Sequence, residues 1–158
     1  MTADHPLPPA GEGRPDPDAF GRGLGPGLGV NLLVGDVGRA ALWQARVLGA
    51  EVEYRDADFA ILRAHGSVWM LHHDRTYGRH PMGGIARAGG AARGAGAELR
   101  LYGRDPDSAA VAAEALAGDL GGGVLAAPAD KPHGLREAYL ADPEGYVWVP
   151  SVPKRGGA

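Results

Sequence analysis

His133 to Trp148 reads HGLREAYLADPEGYVW, and this stretch decides the fold. Arg136 to Ala141 and Tyr146 to Ser151 both read as strands, short runs bounded by turn residues. Asp142-Pro143-Glu144-Gly145 between them is a turn sequence, because proline presets φ and glycine supplies a positive one. A closing hairpin is therefore predicted, with His133, Gly134, Arg136 and Glu137 on its approach.

Upstream of the hairpin, Glu98-Leu99-Arg100-Leu101-Tyr102 alternates polar and apolar, the mark of a strand with two different faces. Asp105 and Pro106 give an N-cap followed by proline at the first helical position. Ala109 to Leu120 reads as a helix stopped by Gly121-Gly122-Gly123, with a short strand near 123–127 after it. The same order occurs earlier in the chain. Val30 to Val34 has strand composition, Asp36 offers an N-cap, and Val37 to Leu48 carries apolar residues at helical spacing. Gly49 supplies the left-handed stop, and three strands follow near 51–55, 58–64 and 67–73. Registering Asp36 on Asp105 aligns strand, cap and helix in both halves, so the chain contains a repeat of about one supersecondary unit.

The flanks are different in character. Residues 1–27 are rich in Pro, Gly and Asp and lack apolar periodicity, so they are expected to form a flexible arm. The domain then runs over 28–153, with module one at 28–74, a linker of Gly, Ala and Arg at 75–96, module two at 97–153, and a tail at 154–158. The 158 residues carry a formal charge of -3 from 16 basic and 19 acidic side chains, with no long run of one sign, which argues against a nucleic-acid partner. There is no cysteine, so disulfides and thiolate metal sites are excluded, and a cytoplasmic protein is expected. No apolar run approaches the ~20 residues needed to span a bilayer, and no signal peptide or membrane partner is expected. A nucleophile elbow and a phosphate loop are both missing, and Gly21-Arg22-Gly23-Leu24-Gly25 has no strand before it.

Two stretches carry a family likeness. Asp36 to Gly49, DVGRAALWQARVLG, resembles the first strand-helix unit of the vicinal oxygen chelate superfamily, the glyoxalase, bleomycin-resistance and extradiol dioxygenase type. The hairpin resembles that superfamily's closing element, a Gly-x-Arg-Glu stretch followed by Asp-Pro-x-Gly and an aromatic. The resemblance spans roughly residues 28–153 and implies an α+β fold: two βαβββ modules forming a cupped mixed sheet with helices outside. It also implies a homodimer whose cups are completed or buttressed by the partner. Members include metal-dependent lyases, isomerases and dioxygenases, and also metal-free binders of antibiotics.

In the metal-dependent members, inward positions on the first and last strand of each module supply His, Gln or Glu. Carried onto this chain they fall on Gly29, Met70, Glu98 and Val149. Only Glu98 suits a divalent cation, whereas catalytic zinc keeps three protein ligands. The leading expectation is therefore a metal-free, small-molecule-binding protein without a cofactor, capturing an apolar or aromatic ligand. Strand alternation adds Asn31 and His72 to the Gly29 and Met70 face, and Arg100 and Tyr102 to the Glu98 face. Arg100 is read either as an anchor for the ligand or as the neutralising partner of Glu98, Tyr102 as a stacking surface, and His133 as a gate at the pocket mouth or a solvated turn. Trp69 and Trp148 fall on the opposite face, against the helices. The alternative is a glyoxalase- or dioxygenase-like enzyme with Zn, Mn, Ni or Fe held by Glu98 and His72, with Asn31 nearby. A module with a vestigial pocket is the third reading.

Overall fold

The computed structural model describes residues 7–81 and 93–155. Their elements run α1 (Pro17–Gly23), β1 (Val30–Val34), α2 (Val37–Leu48), β2 (Glu51–Arg55), β3 (Phe59–Ala64), β4 (Ser67–His73), a 3₁₀ turn (Asp74–Tyr77), β5 (Glu98–Tyr102), α3 (Pro106–Leu120), β6 (Gly123–Asp130), β7 (Leu135–Ala141) and β8 (Val147–Pro153). This is an α+β fold made of two βαβββ modules. Residues 1–6 of the expected arm, 82–92 of the expected linker and 156–158 of the expected tail lie outside the described residues. The rest of the arm contains α1, capped by the Asp16 carboxylate, with no buried side chain.

Each module makes its own four-stranded sheet, in the orders β1-β4-β3-β2 and β5-β8-β7-β6. In both, the first strand lies parallel to the last and the remaining pairs are antiparallel. A parallel return needs a crossover, which α2 and α3 provide. The helices begin where the sequence places them: the Asp36 and Asp105 carboxylates accept from the backbone N–H of Arg39 and Ser108 at 2.8 and 3.0 Å. Gly49 ends α2 at φ 69°, a conformation without a Cβ penalty only for glycine.

Alternation then divides each sheet into two faces. Leu32, Val34, Ala60, Leu62, Trp69 and Leu71 of sheet one turn to the helix side, as do Leu101, Ala138, Leu140 and Trp148 of sheet two. They meet Trp43, Val47 and Leu48 of α2 and Ala109, Ala110 and Ala113 of α3 in one continuous core. The two sheets are not hydrogen-bonded to each other; the helix side joins them. Trp69 and Trp148 pack with ring centroids 5.4 Å apart. Between them lies a buried polar chain. Trp69 Nε1 donates to Gln44 at 2.8 Å, Gln44 Nε2 donates to Asp142 at 3.4 Å, and Trp148 Nε1 donates to the same Asp142 oxygen at 3.0 Å. Burial pushes the Asp142 carboxyl up from its ordinary value, opposed by these bonds and by the backbone N–H groups of Tyr146 and Glu144. Each buried indole removes roughly 200 Å² from water, on the order of 5 kcal/mol before the cost of ordering it.

The module boundary is also tied at its rim. Tyr146 donates its hydroxyl to the Leu33 carbonyl at 2.8 Å, and Glu144 accepts from the Gly35 N–H at 2.7 Å and from Arg39 at 2.9 Å. Arg104 Nε donates to the Val47 carbonyl at 2.9 Å, satisfying one of the carbonyls that the end of α2 leaves open. The faces that point away from the helices are the cup faces.

Candidate functional site

The cup face of sheet one is mainly apolar and aromatic. Its ladder sets Asn31 beside Met70 and Leu33 beside His72, and across β3 it sets Ile61 beside Met70 and Phe59 beside His72. The rings form a series. Tyr54 and Phe59 are 6.1 Å apart, Phe59 and His72 4.9 Å, His72 and Tyr77 5.3 Å, and Tyr77 and His80 4.2 Å. Burial lowers the basicity of His72, and the nearby His80 lowers it further, so the imidazole is held toward its neutral form. Asn31 is exposed, at the open edge of this face.

The cup face of sheet two is charged. Glu98, Arg100 and Tyr102 share it on β5, next to Val147, Val149 and Ser151 of β8, and Glu137 of β7 faces Ser151 from the other side. Glu137 is 0% exposed. Its carboxylate accepts from Arg100, and its Oε1 lies 2.8 Å from Nε2 of His133. Tyr139 reaches its other oxygen at 3.5 Å. Burial pushes the Glu137 carboxyl up, but the His133 hydrogen bond and the charges of Arg100, His133 and Lys131 outweigh it, leaving it below the usual carboxylate range. Arg100 also donates to Glu98 at 3.0 Å and lies 6.0 Å from the centre of the Tyr102 ring. Tyr102 is 59% exposed, a large flat surface presented to solvent.

The residues singled out in the sequence therefore fall into two groups. Arg100, Glu98, Tyr102, Val149 and His133 are gathered on sheet two, while Asn31, Met70 and His72 are gathered on sheet one. The expected weak cluster of Asn31, His72 and Glu98 is not assembled: His72 packs between Phe59 and Tyr77, and Glu98 stands on the other sheet paired to Arg100. Among the described residues no three His, Asp or Glu side chains come together in a group able to hold a metal ion. A divalent metal of the kind the sequence resemblance implies does not fit these donors. Met70 and Val149 offer a thioether and a hydrocarbon, and the one carboxylate lies against a guanidinium, which opposes a cation there.

The sequence reading named Glu137 only on the approach to the hairpin, not as a cup residue, and passed over Tyr139. The signal was available in principle. Once Ala138 and Leu140 are assigned to the core, period-two alternation turns Glu137 and Tyr139 into the cup. The aromatic run ending in Tyr77 and His80 had no such signal, because it depends on the 3₁₀ turn after β4. A separate cleft of about 990 Å³ opens beside the arm, between Phe20, Leu24 and Leu28 on one side and Trp69, Leu99 and Trp148 on the other. It borders Glu98 and Arg100 but none of Asn31, Met70 or His72. No helix among the described residues is long and apolar enough to cross a membrane.

Comparison with known proteins agrees with this architecture. No family model matches the chain, and no curated protein matches it by sequence. Solved structures do match. A glyoxalase-related enzyme from Fulvimarina pelagi superposes with a TM-score of 0.61 at 22% identity, over 85% of this chain and 94% of that one. A glyoxalase/bleomycin resistance protein/dioxygenase family enzyme from Burkholderia phytofirmans PsJN gives 0.62 at 19% identity, over 79% and 96%. A glyoxalase/bleomycin resistance protein/dioxygenase from Nocardioides gives 0.56 at 20% identity, over 88% and 93%. The resemblance read from the two sequence stretches thus holds at the level of fold.

Proposed function

We propose, with the glyoxalase/bleomycin-resistance fold as premise, that this chain is a small-molecule-binding protein that captures an apolar or aromatic ligand on its cup faces without a metal. The observation that carries this reading is the pairing of Glu98 with Arg100. It occupies the one acidic side chain among the family's ligand positions, while the aromatic series on sheet one and the exposed Tyr102 on sheet two offer flat apolar surface. Apolar walls with a few placed polar groups are the general character of ligand pockets. Both cup faces carry exposed residues within one chain, Asn31 on the first and Glu98 and Tyr102 on the second. A second copy, packing its sheet two against this sheet one, would cover both, so the working unit is proposed to be a homodimer with two-fold symmetry. Sedimentation at micromolar concentration is expected to give twice the 16.3 kDa chain mass; a monomer alone would remove the dimer.

The decisive experiment is elemental analysis of untagged protein dialysed against a mild chelator, followed by calorimetric titration with zinc, manganese, nickel and iron(II). The expected result is no stoichiometric ion and only weak, non-saturating heats. One tightly held ion per cup, lost in both Glu98→Gln and His72→Ala, would replace this reading with the metal-dependent enzyme.

A further inference from the structure

We infer that the cleft beside the arm is a second binding site, separate from the cup, for an uncharged and mainly apolar small molecule. The arm is fastened at both ends. At one end the Gly11 N–H donates to the Arg55 carbonyl at 2.8 Å and Arg14 pairs with Asp56 at 3.7 Å, which ties it to the end of β2. At the other it enters β1 at Val30, in register with Trp69 of β4. Between these ties it stands off the domain. A side-chain carbon placed on Gly21, Gly23, Gly25, Gly27 or Gly29 would meet nothing within 4 Å, and α1 buries no residue. The arm is a strap across a gap.

That gap is the cleft of about 990 Å³, and apolar side chains line it from both sides. The strap contributes Phe20, Leu24 and Leu28, and the domain contributes Trp69, Leu99 and Trp148. Leu24 is 42% exposed and Leu28 92%, although both line the cleft. A molecule lying there would remove this apolar surface from water, which is favourable in proportion to the area covered. The volume falls within the range of about 300–1,000 Å³ that small-molecule pockets occupy. Charge decides the class of ligand. Among the described residues lining the cleft, the basic side chains are Arg63 and Arg100, and carboxylates hold both. Arg63 pairs with Glu53, and Arg100 pairs with Glu98 and with Glu137. Asp16 is engaged as the cap of α1, accepting from the Ala19 N–H at 2.8 Å. A charged ligand would find these groups already engaged, with little to offset its own loss of water. A neutral ligand bears no such cost.

The test uses the full chain and two probes with the same aromatic body. N-phenyl-1-naphthylamine is neutral, and 8-anilino-1-naphthalenesulfonate adds a sulfonate. Both brighten in apolar surroundings and accept excitation from tryptophan, and two of the chain's three tryptophans line the cleft. The expected result is one neutral probe bound per chain with quenched tryptophan emission, and the sulfonate bound about tenfold more weakly or worse. The double variant Leu24→Asp/Leu28→Asp changes exposed positions only. It should weaken the neutral probe by about tenfold with an unchanged melting temperature. Tyr102→Ala, on the cup face and outside the cleft, should leave that binding within about twofold of wild type. Equal binding of the two probes, wild-type binding by the leucine variant, or no binding at the neutral probe's solubility limit would each overturn the cleft site. Binding lost in Tyr102→Ala but kept in the leucine variant would place the probe in the cup, so the cleft site would fall while the cup reading stands. A dimer that the leucine variant converts to monomer would make the cleft a contact between copies, and that too would overturn the site.

Discussion

The two modules share one framework and differ in what they expose. Each starts from an aspartate-capped helix after its first strand, and in each the first strand lies parallel to the last. Asn31 beside Met70 in module one corresponds to Arg100 beside Val149 in module two. Yet the cup face of the first carries rings and aliphatics, whereas that of the second carries an ion-paired network around a fully buried glutamate. The helix sides differ as well. α2 buries Trp43, Val47 and Leu48, whereas α3 buries Ala109, Ala110 and Ala113 and packs Leu116 and Leu120 at the edge. Backbone and register, which caps, turns and core residues specify, are common to the two modules, and the cup faces differ. On the cup side module one supplies rings and aliphatics, while module two supplies polarity.

The sharpest way to break this comparison is to attack the junction where the modules meet. Trp69→Ala removes an indole from the core and leaves the Gln44 carbonyl oxygen without its donor. Large-to-small changes of this kind cost about 3–5 kcal/mol. Chemical denaturation should show that loss in a single transition, because both modules share one core. Two separated transitions would mean that the modules fold independently and that the continuous core couples them little.

A smaller effect is expected from the network that distinguishes module two. Arg100→Met keeps an unbranched stem and removes the guanidinium from Glu137, which retains His133. A hydrogen bond to a charged group is worth about 1.5–3 kcal/mol, and the partial exposure of Arg100 places the loss toward the lower end. The pH dependence has a definite sign. The folded state holds the Glu137 carboxyl below its unfolded value of about 4.3, so its contribution is complete above that pH and is lost as pH falls through the lower, folded value. In Arg100→Met the folded value moves up toward the unfolded one, so the acid-side loss should be smaller and should end at higher pH. A stability profile in acid identical to wild type would show that Arg100 contributes nothing to holding Glu137 ionised. Met70→Ala, the corresponding probe on sheet one, touches no ionisable pair and should leave the acid profile unmoved.

The difference in legibility between framework and site follows the same division. Helix starts at Asp36 and Asp105, the stop at Gly49 and the turn at Asp142 to Gly145 are written in local chemistry and could be read directly. Alternation also assigned Trp69 and Trp148 to the helix side. The site depends on partners far apart in sequence. Arg100 meets Glu137 across two strand pairings, and nothing within either strand announces it. The choice between Arg100 as free anchor and as paired cation stayed open until the ladder set β5 beside β8 and β8 beside β7. His72 was placed on the correct strand, but its stacking on Tyr77 depends on how the chain leaves β4.

The smallest expected effect tests whether the shared framework is also energetically equal. Asp36→Ala and Asp105→Ala each delete the side-chain acceptor at a helix start, a change that typically costs about 1 kcal/mol. The surroundings are not the same. α3 keeps Pro106 at its first position, where no N–H needs a partner, and Asp107 in its first turn. Ser108 also donates its hydroxyl back to the Asp105 carbonyl at 3.2 Å. α2 has no acidic residue in its own first turn; Asp36 accepts from the Arg39 N–H, and the Glu144 carboxylate on the Gly35 N–H lies just before its start. Asp36→Ala should therefore cost more than Asp105→Ala, by a few tenths of a kcal/mol, in paired urea titrations of the two variants. Because α2 also carries the larger core residues, fraying its first turn loosens Val37 and Ala40 from sheet one, which adds to the same side of the balance. An equal or reversed order would place the stronger helix start in module two and make the alanine-rich α3 the better-anchored half of the repeat.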